Sequence, residues 1–537
     1  MFRKGTEGIE KDPDRDSEVS RGQSNREQSV CSIGTLARKG RNGRGSQDRA
    51  RLVKAGTVPF QKERVNGNAS REQGLMSRKR QKNQYELAFM AETGSEAPTN
   101  GARVELLIAK QEPESGGTSE RLMEEICEPE NLRKALKRVQ ENKGAPGVDG
   151  ITVDELPGYL RKNWPKHREE LLQGTYKPKP ARRKEIPKPD GGKRNLSIPC
   201  VLDRLIQQAV LQVLQERWDP SFSEHSYGFR PGRSQHQAVA RAQEYIAAGN
   251  RIVVDLDLEK FFDRVNHDIL MGRIAKREKD KRVLKLIRAY LNAGVVMEDG
   301  VVSPTEEGTA QGGPLSPLLS NVMLDDLDRE LERRGHRFVR YADDCNIYVR
   351  TERAGQRVME GITSFLTKKL KLKVNKEKSA VATPWTRKFL GFSFTSGKEP
   401  KRRIAPKAKE RFQKRVREIT QRNRGVSMRQ RVVELKQYLV GWMAYFGFCE
   451  TPSVLKELDA WIRRHLRCAQ WKSWKTCKAR YKALRRLGIT DPVDLRKLAC
   501  CSHGPWPVSN YSILTRALPN AYFDSLGLPR LAALHRA

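Results

Sequence analysis

Two strand-like patterns stand far apart in the chain, one an alternation of apolar and polar residues and the other a β-branched apolar run. Around Tyr341-Ala342-Asp343-Asp344, the runs Phe338-Val339-Arg340 and Cys345-Asn346-Ile347-Tyr348-Val349 flank a short break. That pattern predicts a β-hairpin with two carboxylates at its tip. Upstream, Ile252-Val253-Val254-Asp255-Leu256-Asp257 is a β-branched run that ends in acids and leads into the paired aromatics Phe261-Phe262. Turn chemistry predicts another hairpin over 178–199. Its arms contain Lys184-Glu185-Ile186-Pro187-Lys188 and Lys193-Arg194-Asn195-Leu196-Ser197-Ile198, and Pro189-Asp190-Gly191-Gly192 joins them. Helical spacing is found over 132–139, 156–172 and 202–217, and a first helix starts near Thr118 and is broken at Glu128-Pro129. After Gly397 the pattern turns helical and very basic, through 428–448 and on from Trp461 to Arg486.

Two adjacent acids at a hairpin tip repel one another, so they should be exposed or neutralised by a cation. Mg²⁺ takes oxygen ligands from one or two carboxylates and completes its shell with substrate phosphates. Two such ions about 4 Å apart can activate an attacking hydroxyl and stabilise a leaving pyrophosphate. One acidic strand and one acidic hairpin, distant in sequence, supply what that clamp needs.

Four further strings occur around these two: Ser226-Tyr227-Gly228-Phe229-Arg230-Pro231-Gly232-Arg233-Ser234, Gln311-Gly312-Gly313-Pro314-Leu315-Ser316-Pro317, Leu370-Lys371-Leu372-Lys373-Val374-Asn375-Lys376-Glu377-Lys378-Ser379, and Phe389-Leu390-Gly391-Phe392. Together they resemble the blocks of the bacterial group II intron-encoded reverse transcriptases, most of all the short class without an endonuclease domain. The resemblance covers about residues 118 to 530. It implies an α+β right-hand polymerase, with fingers and an antiparallel palm sheet carrying helices on one face, followed by an all-helical thumb or maturase X domain. The expected divisions are 118–249 for the N-terminal extension and fingers, 250–398 for the palm, 399–480 for the thumb/X domain and 481–537 for a DNA-binding-like region.

The family places its first catalytic acid five residues before an aromatic. Asp257 meets this with Phe262; Asp255 does not, since Lys260 follows at that spacing, and it reads as a strand-end acid. The resemblance therefore implies Asp257, Asp343 and Asp344 as catalytic residues and ligands of two Mg²⁺ ions. Lys188 and Arg194 are candidates for the incoming triphosphate, Phe262 for a gate against the ribose 2′-hydroxyl, Gln311 for nucleotide contact, and Lys378 for protonating the leaving pyrophosphate. Gly312 and Gly313 would let the backbone approach a nucleotide. Candidate nucleic-acid contacts are Arg230, Arg233, Arg431, Lys436, Arg463 and Arg464. In the helical region, basic residues interleave with aromatics such as Trp442, Tyr445 and Phe446, which suits backbone tracking and base stacking.

Composition agrees with a polyanionic partner: 103 Lys and Arg against 65 Asp and Glu give a net +38. No apolar run approaches the roughly 20 residues of a membrane span. The nine cysteines are scattered, as in a reducing cytoplasm. Cys468, Cys477, Cys500, Cys501 and His503 lie in one region without a C-x-x-C pair, so buried thiols are expected there rather than zinc. Residues 1–117 hold four aromatics, Phe2, Phe60, Tyr85 and Phe89, and are expected to be disordered, with a native start near Met76 or a basic RNA-tethering arm as the two readings. The implied partners are group II intron RNA, a DNA target and primer, and deoxynucleoside triphosphates, in a bacterial cytoplasmic ribonucleoprotein or at the nucleoid. Oligomeric state stays open. Two other functions compete: a host-adopted reverse transcriptase in defence or repair, and an RNA-binding maturase with a decayed polymerase site. Intact Asp257, Asp343, Asp344, Phe262 and Gln311 argue against decay.

Overall fold

The computed structural model describes residues 121–187, 193–297 and 300–535. The expectations for residues 1–117, including the start near Met76, lie outside the described residues. The chain opens with helices Leu122–Ile126, Pro129–Asn142 and Leu156–Leu172. Pro129 begins the second of these rather than only ending the first, because proline at the first helical position gives up an N–H that has no partner there.

The described strands are β1 (Ala181–Pro187), β2 (Lys193–Ile198), β3 (Ile252–Leu256), β4 (Val295–Val296), β5 (Val302–Ser303), β6 (Arg337–Tyr341), β7 (Asp344–Val349), β8 (Ala380–Ala382), β9 (Phe392–Phe394) and β10 (Arg402–Ile404). The hairpin expected over 178–199 forms as β1–β2, paired from Arg182↔Ile198 to Pro187↔Lys193. β1 also pairs in parallel with β4, giving the order β2-β1-β4-β5. The helix Val201–Trp218 follows, packed against helix Pro129–Asn142 with most of its residues buried.

The second sheet has the order β6-β7-β3-β8 and is antiparallel throughout. Helices cover both of its faces, which corrects the expectation of one. Val254, Leu256, Phe338 and Ile347 face a core shared with helices Ser316–Arg333 and Glu352–Phe365. Val253, Val339 and Tyr348 face a second core with Ala238, Val239 and Ala242 of helix Gln235–Ala247. The run Ile252-Val253-Val254 at the start of β3, apolar at successive positions, fits burial on both faces.

That second core continues through β9–β10 and the helices Pro406–Ile419, Met428–Phe446 and Pro452–Ser473 to Phe523 and Leu531. Helices on both sides of residue 480 contribute to it. The cysteines there are not uniformly buried as expected: Cys468 is, but Cys477 and Cys500 are exposed because they sit at the ends of short surface helices. No described helix is long and apolar enough to cross a membrane.

Candidate active site

The register of β3 against β7 runs from Ile252↔Val349 to Leu256↔Cys345, and one further step sets Asp257 across from Asp344. Tyr341 and Asp344 close a two-residue turn made of Ala342 and Asp343. All three acids therefore arrive at one edge of the sheet. Ala342 holds φ 58, a left-handed conformation that costs a non-glycine residue roughly 1 kcal/mol or more and that clusters at functional turns.

A two-residue hairpin turn asks for such a φ at its first position, and the segment 226–229 packs against it. Ser226 bridges Arg340, the Tyr227 N–H donates to the Arg340 carbonyl (2.9 Å), and Asn321 Nδ2 donates to the Gly228 carbonyl (2.9 Å). A side chain at Gly228 would put Cβ 2.1 Å from the Ala342 nitrogen, so only glycine lets this segment lie against the turn. Arg340 grips the turn from inside: its Nη1 donates to the Ala342 carbonyl (2.9 Å) and to Asn321 Oδ1 (3.1 Å), while Nε reaches Asp328 (2.7 Å). Both members of the Arg340–Asp328 pair are fully buried. Nothing in the local sequence pattern marks Arg340 of β6 as a buried residue. Its role depends on a carboxylate from the preceding helix, a contact that no periodicity reports.

Asp257 is strapped from the other side. Its N–H donates to Ser379 Oγ (3.0 Å) and its carbonyl accepts from the Asn375 N–H (2.8 Å). Asn375 Oδ1 in turn accepts from the Glu377 and Lys378 N–H groups, a side-chain turn that fixes this loop. Lys378 Nζ stands 3.6 Å from Asp257 Oδ2. Arg387 pairs with Asp255 (2.6 Å) and donates to the Lys378 carbonyl, so Asp255 acts in support of the loop, as a strand-end acid should. Burial raises the Asp255 carboxyl, and Arg387 opposes that rise.

Asp344 shows what the crowding costs. Desolvation in the cleft, then the charges of Asp343, Asp255 and Asp257, push it up to about 7, with Lys388 pulling the other way. The side chain remains exposed, so the repulsion among carboxylates is the part that a bound cation would remove. Among the described residues no three acidic, His or Cys side chains already form a closed cage. The donor set is nevertheless one of hard oxygens under mutual repulsion, which fits a divalent cation of the Mg²⁺ type.

Phe262 lies on the turn Phe261–Asp263, edge-to-face with Phe261 at 5.2 Å, and its carbonyl accepts from the Thr309 N–H (2.6 Å). It walls a cavity of about 490 Å³ with Arg183, Asn195, Ser197 and Lys260. The Gln311 carbonyl accepts from the Ser197 N–H (2.8 Å), joining this loop to β2. Gly312 and Gly313 approach protein rather than an open nucleotide space: Cβ atoms there would meet the Ser197 carbonyl at 2.5 Å and Gln207 Oε1 at 2.6 Å. Lys188 lies outside the described residues, and of Arg194 only the backbone pairing with Ile186 is described.

Three of the arginines expected to contact nucleic acid are internal. Arg230 is buried, pairs with Asp219 (2.9 Å) and donates to the carbonyls of Ser223 and Ser226. Arg431 is buried against the carbonyls of Ile419 and Gln421, capping the end of helix Pro406–Ile419. Arg463, with its side chain 2% exposed, bridges Asp459 and Asp524. Arg463 takes Asp524 from 61 residues away, whereas Asp219 for Arg230 and the two carbonyls for Arg431 lie 10 to 12 residues before them; a buried guanidinium needs such partners. Arg233 is half-buried over the Tyr227 ring and donates to the Glu224 carbonyl; Lys436 is exposed, and Arg464 is half-buried at the surface.

A palm sheet with three acids at one edge, fingers built from a separate hairpin sheet, and a helical domain behind define a nucleic-acid polymerase of the reverse transcriptase class. Comparison with known families agrees: "Reverse transcriptase (RNA-dependent DNA polymerase)" matches residues 186–394, and "Group II intron, maturase-specific domain" matches 409–488. One chain thus matches a reverse transcriptase domain followed by a group II intron maturase-specific domain. The chain is 39% identical over 221 residues to Protein YkfC of Escherichia coli, covering 40% of this chain and 58% of that one. It is 38% identical over 210 residues to the group II intron-encoded protein LtrA of Lactococcus lactis (39% and 35%) and 28% identical over 278 residues to a putative COX1/OXI3 intron 2 protein of Saccharomyces cerevisiae (51% and 32%). The matches thus span between about a third and three-fifths of these relatives' lengths. The reverse transcriptase family is in general metal-dependent.

Proposed function

We propose that this chain is an RNA-directed DNA polymerase that also serves as a maturase, supporting group II intron splicing and mobility by target-primed reverse transcription. Its substrates are deoxynucleoside triphosphates and a DNA primer on an RNA template, and its partners are the intron RNA and the DNA target, within a cytoplasmic ribonucleoprotein. The observation that carries this reading is the strand register that sets Asp257 opposite Asp344 with Asp343 in the adjoining turn.

In this reading Asp257, Asp343 and Asp344 hold two Mg²⁺ ions. Those ions would supply activation of the primer 3′-hydroxyl and neutralise the charge that develops on the leaving pyrophosphate. Lys378, held by its loop beside Asp257, gives a proton to the departing pyrophosphate. Phe262 closes the side of the site where a ribose 2′-hydroxyl would fall, and Gln311 fixes the loop that faces the nucleotide. Lys188 and Arg194 meet the triphosphate.

The maturase-specific match favours an intron partner over the host-adopted alternative. The test is excision of the encoding intron at low Mg²⁺ with and without protein, run beside DNA synthesis on an RNA template. Acceleration of both supports the whole reading. Copying without assisted splicing would sink the maturase half, and assisted splicing without copying would sink the polymerase half.

A further inference from the structure

Outside the polymerase cleft, one surface cluster of the helical domain has no role in the account so far. Trp461 and His465, on helix Pro452–Ser473, pack edge-to-face at 4.3 Å, and the Trp506 ring also contacts His465, at 4.7 Å. Arg417 lies over Trp461 at 5.4 Å and Arg464 over Trp506 at 4.1 Å. Arg422 adds a third positive charge close to the same histidine. Among the described residues none of these arginines forms an ion pair, although ion pairs are numerous in the helices around them. Arg464 does donate to Ser509 Oγ (3.4 Å) and to the Trp506 carbonyl (3.5 Å), but three guanidinium groups without a carboxylate partner, gathered near one imidazole, repel each other and call for an anion.

His465 is the acceptor of the cluster. Its Nδ1 lies 3.5 Å from Thr420 Oγ1, and that hydroxyl gives its own proton to the Val416 carbonyl, so Nδ1 is the protonated nitrogen. Nε2 then carries a lone pair, is buried, and has no partner. Burial and the three arginines hold the ring neutral, with its pKa lowered to about 4. A buried unpaired acceptor beside two indoles and three cations is a costly arrangement unless something completes it.

We propose that Trp461, His465 and Trp506 form a second nucleic-acid site, which takes one unpaired, amino-bearing base of an RNA loop while Arg417, Arg422 and Arg464 hold its phosphates. The base stacks on an indole face, its exocyclic amine donates to His465 Nε2, and the guanidinium groups turn to the backbone. Helices are poor readers of the deep groove of paired RNA, whereas splayed loop bases offer both a ring face and a donor edge. The inference rests on the proposal that this chain handles RNA, and it goes beyond it by naming the site, the nucleotide state and the base type.

The test uses the full chain and fluorescence anisotropy with four probes: an RNA hairpin with an adenine loop, the same stem with a uracil loop, a blunt RNA duplex of equal length, and a DNA hairpin with the adenine loop. The adenine-loop RNA should bind roughly five-fold or more tighter than the uracil loop or the duplex, the value of one stacked base. Arg417→Gln/Arg422→Gln, at exposed positions, and separately Trp506→Ala should remove that preference. Extension of a preformed primer–template should be unchanged in both variants, which reads the polymerase independently. Variants that keep the wild-type loop preference, or a DNA loop that outbinds the RNA loop, would overturn the site while leaving the proposed function intact. A wild-type chain that extends primers yet shows no loop preference would overturn it too. A chain that neither binds RNA nor extends would take both down.

Discussion

Replacing Gly228 by alanine should cripple polymerisation without unfolding the protein. The added Cβ would stand 2.1 Å from the Ala342 nitrogen, 2.9 Å from the Tyr341 carbonyl carbon and 3.0 Å from Ala342 Cα. Ordinary contact begins near 3.4 Å, so the turn or the 226–229 segment must move by about 1.3 Å (3.4 − 2.1). Neither moves freely, because Tyr227 is bonded to Arg340 and Gly228 to Asn321. The displacement therefore falls on the turn that carries Asp343 and Asp344. A misplacement of this size costs on the order of 10²-fold in rate, and the overpacking itself costs about 1–3 kcal/mol of stability. Single-nucleotide incorporation on an RNA template, at saturating nucleotide, should fall by that factor, with a lowered but cooperative thermal transition and unchanged primer–template affinity. Gly158→Ala is the matched control: nothing lies within 4 Å of its Cβ, and in a helix alanine should stabilise by ~0.5–1 kcal/mol. Wild-type incorporation by Gly228→Ala would refute the idea that this glycine positions the acidic turn.

Other outcomes follow from the same geometry. Phe262→Ala should raise ribonucleotide incorporation while deoxynucleotide use persists, measured by competition between matched triphosphates; unchanged discrimination would leave Phe262 a core residue beside Phe261. Arg340→Leu strands Asp328 in the interior and should cost about 3–5 kcal/mol in denaturant unfolding, part of which Arg340→Met/Asp328→Leu should restore. Asp344 is raised in the folded protein from an ordinary 3.8 to about 7, so its ionised form weighs against folding at high pH. Asp344→Asn should therefore raise Tm at pH 8 without divalent cations, with the gain fading as pH falls through 7 towards 4. For the same reason the Mg²⁺ concentration that half-saturates wild-type extension should rise as pH drops below about 7. Arg463→Glu should act on stability, by about 3–5 kcal/mol, because it breaks a buried bridge to Asp459 and Asp524, whereas Arg464→Glu should act on RNA binding.

The chemistry was more legible in the sequence than the packing. The acidic hairpin and β3 are local patterns, alternation around a short turn and a β-branched run, and the five-residue spacing to Phe262 separated Asp257 from Asp255. The structure keeps that separation: Asp255 is occupied by Arg387, and Asp257 faces Lys378. Burial of charge was not legible. Arg230, Arg431 and Arg463 look like any basic residue of a +38 chain, and only their folded partners, such as Asp219 for Arg230 and Asp524 for Arg463, show that they are internal. The glycines misled for a related reason. Gly312 and Gly313 do permit close approach, but to Ser197 and Gln207, and sequence alone does not say what approaches. Both faces of the central sheet are covered because a helix from 235–247 reaches it from the far side, a tertiary fact that the run Ile252-Val253-Val254 hinted at through its lack of alternation.

The central claim is that three carboxylates at one sheet edge carry RNA-templated DNA synthesis. The most direct measurement is DNA-primer extension on an RNA template by the wild-type chain and by Asp343→Ala, with primer–template affinity measured in parallel. The wild type should extend in the presence of Mg²⁺ and stop when it is chelated, and Asp343→Ala should lose extension while binding primer–template as before. Extension by Asp343→Ala at the wild-type rate would contradict the assignment.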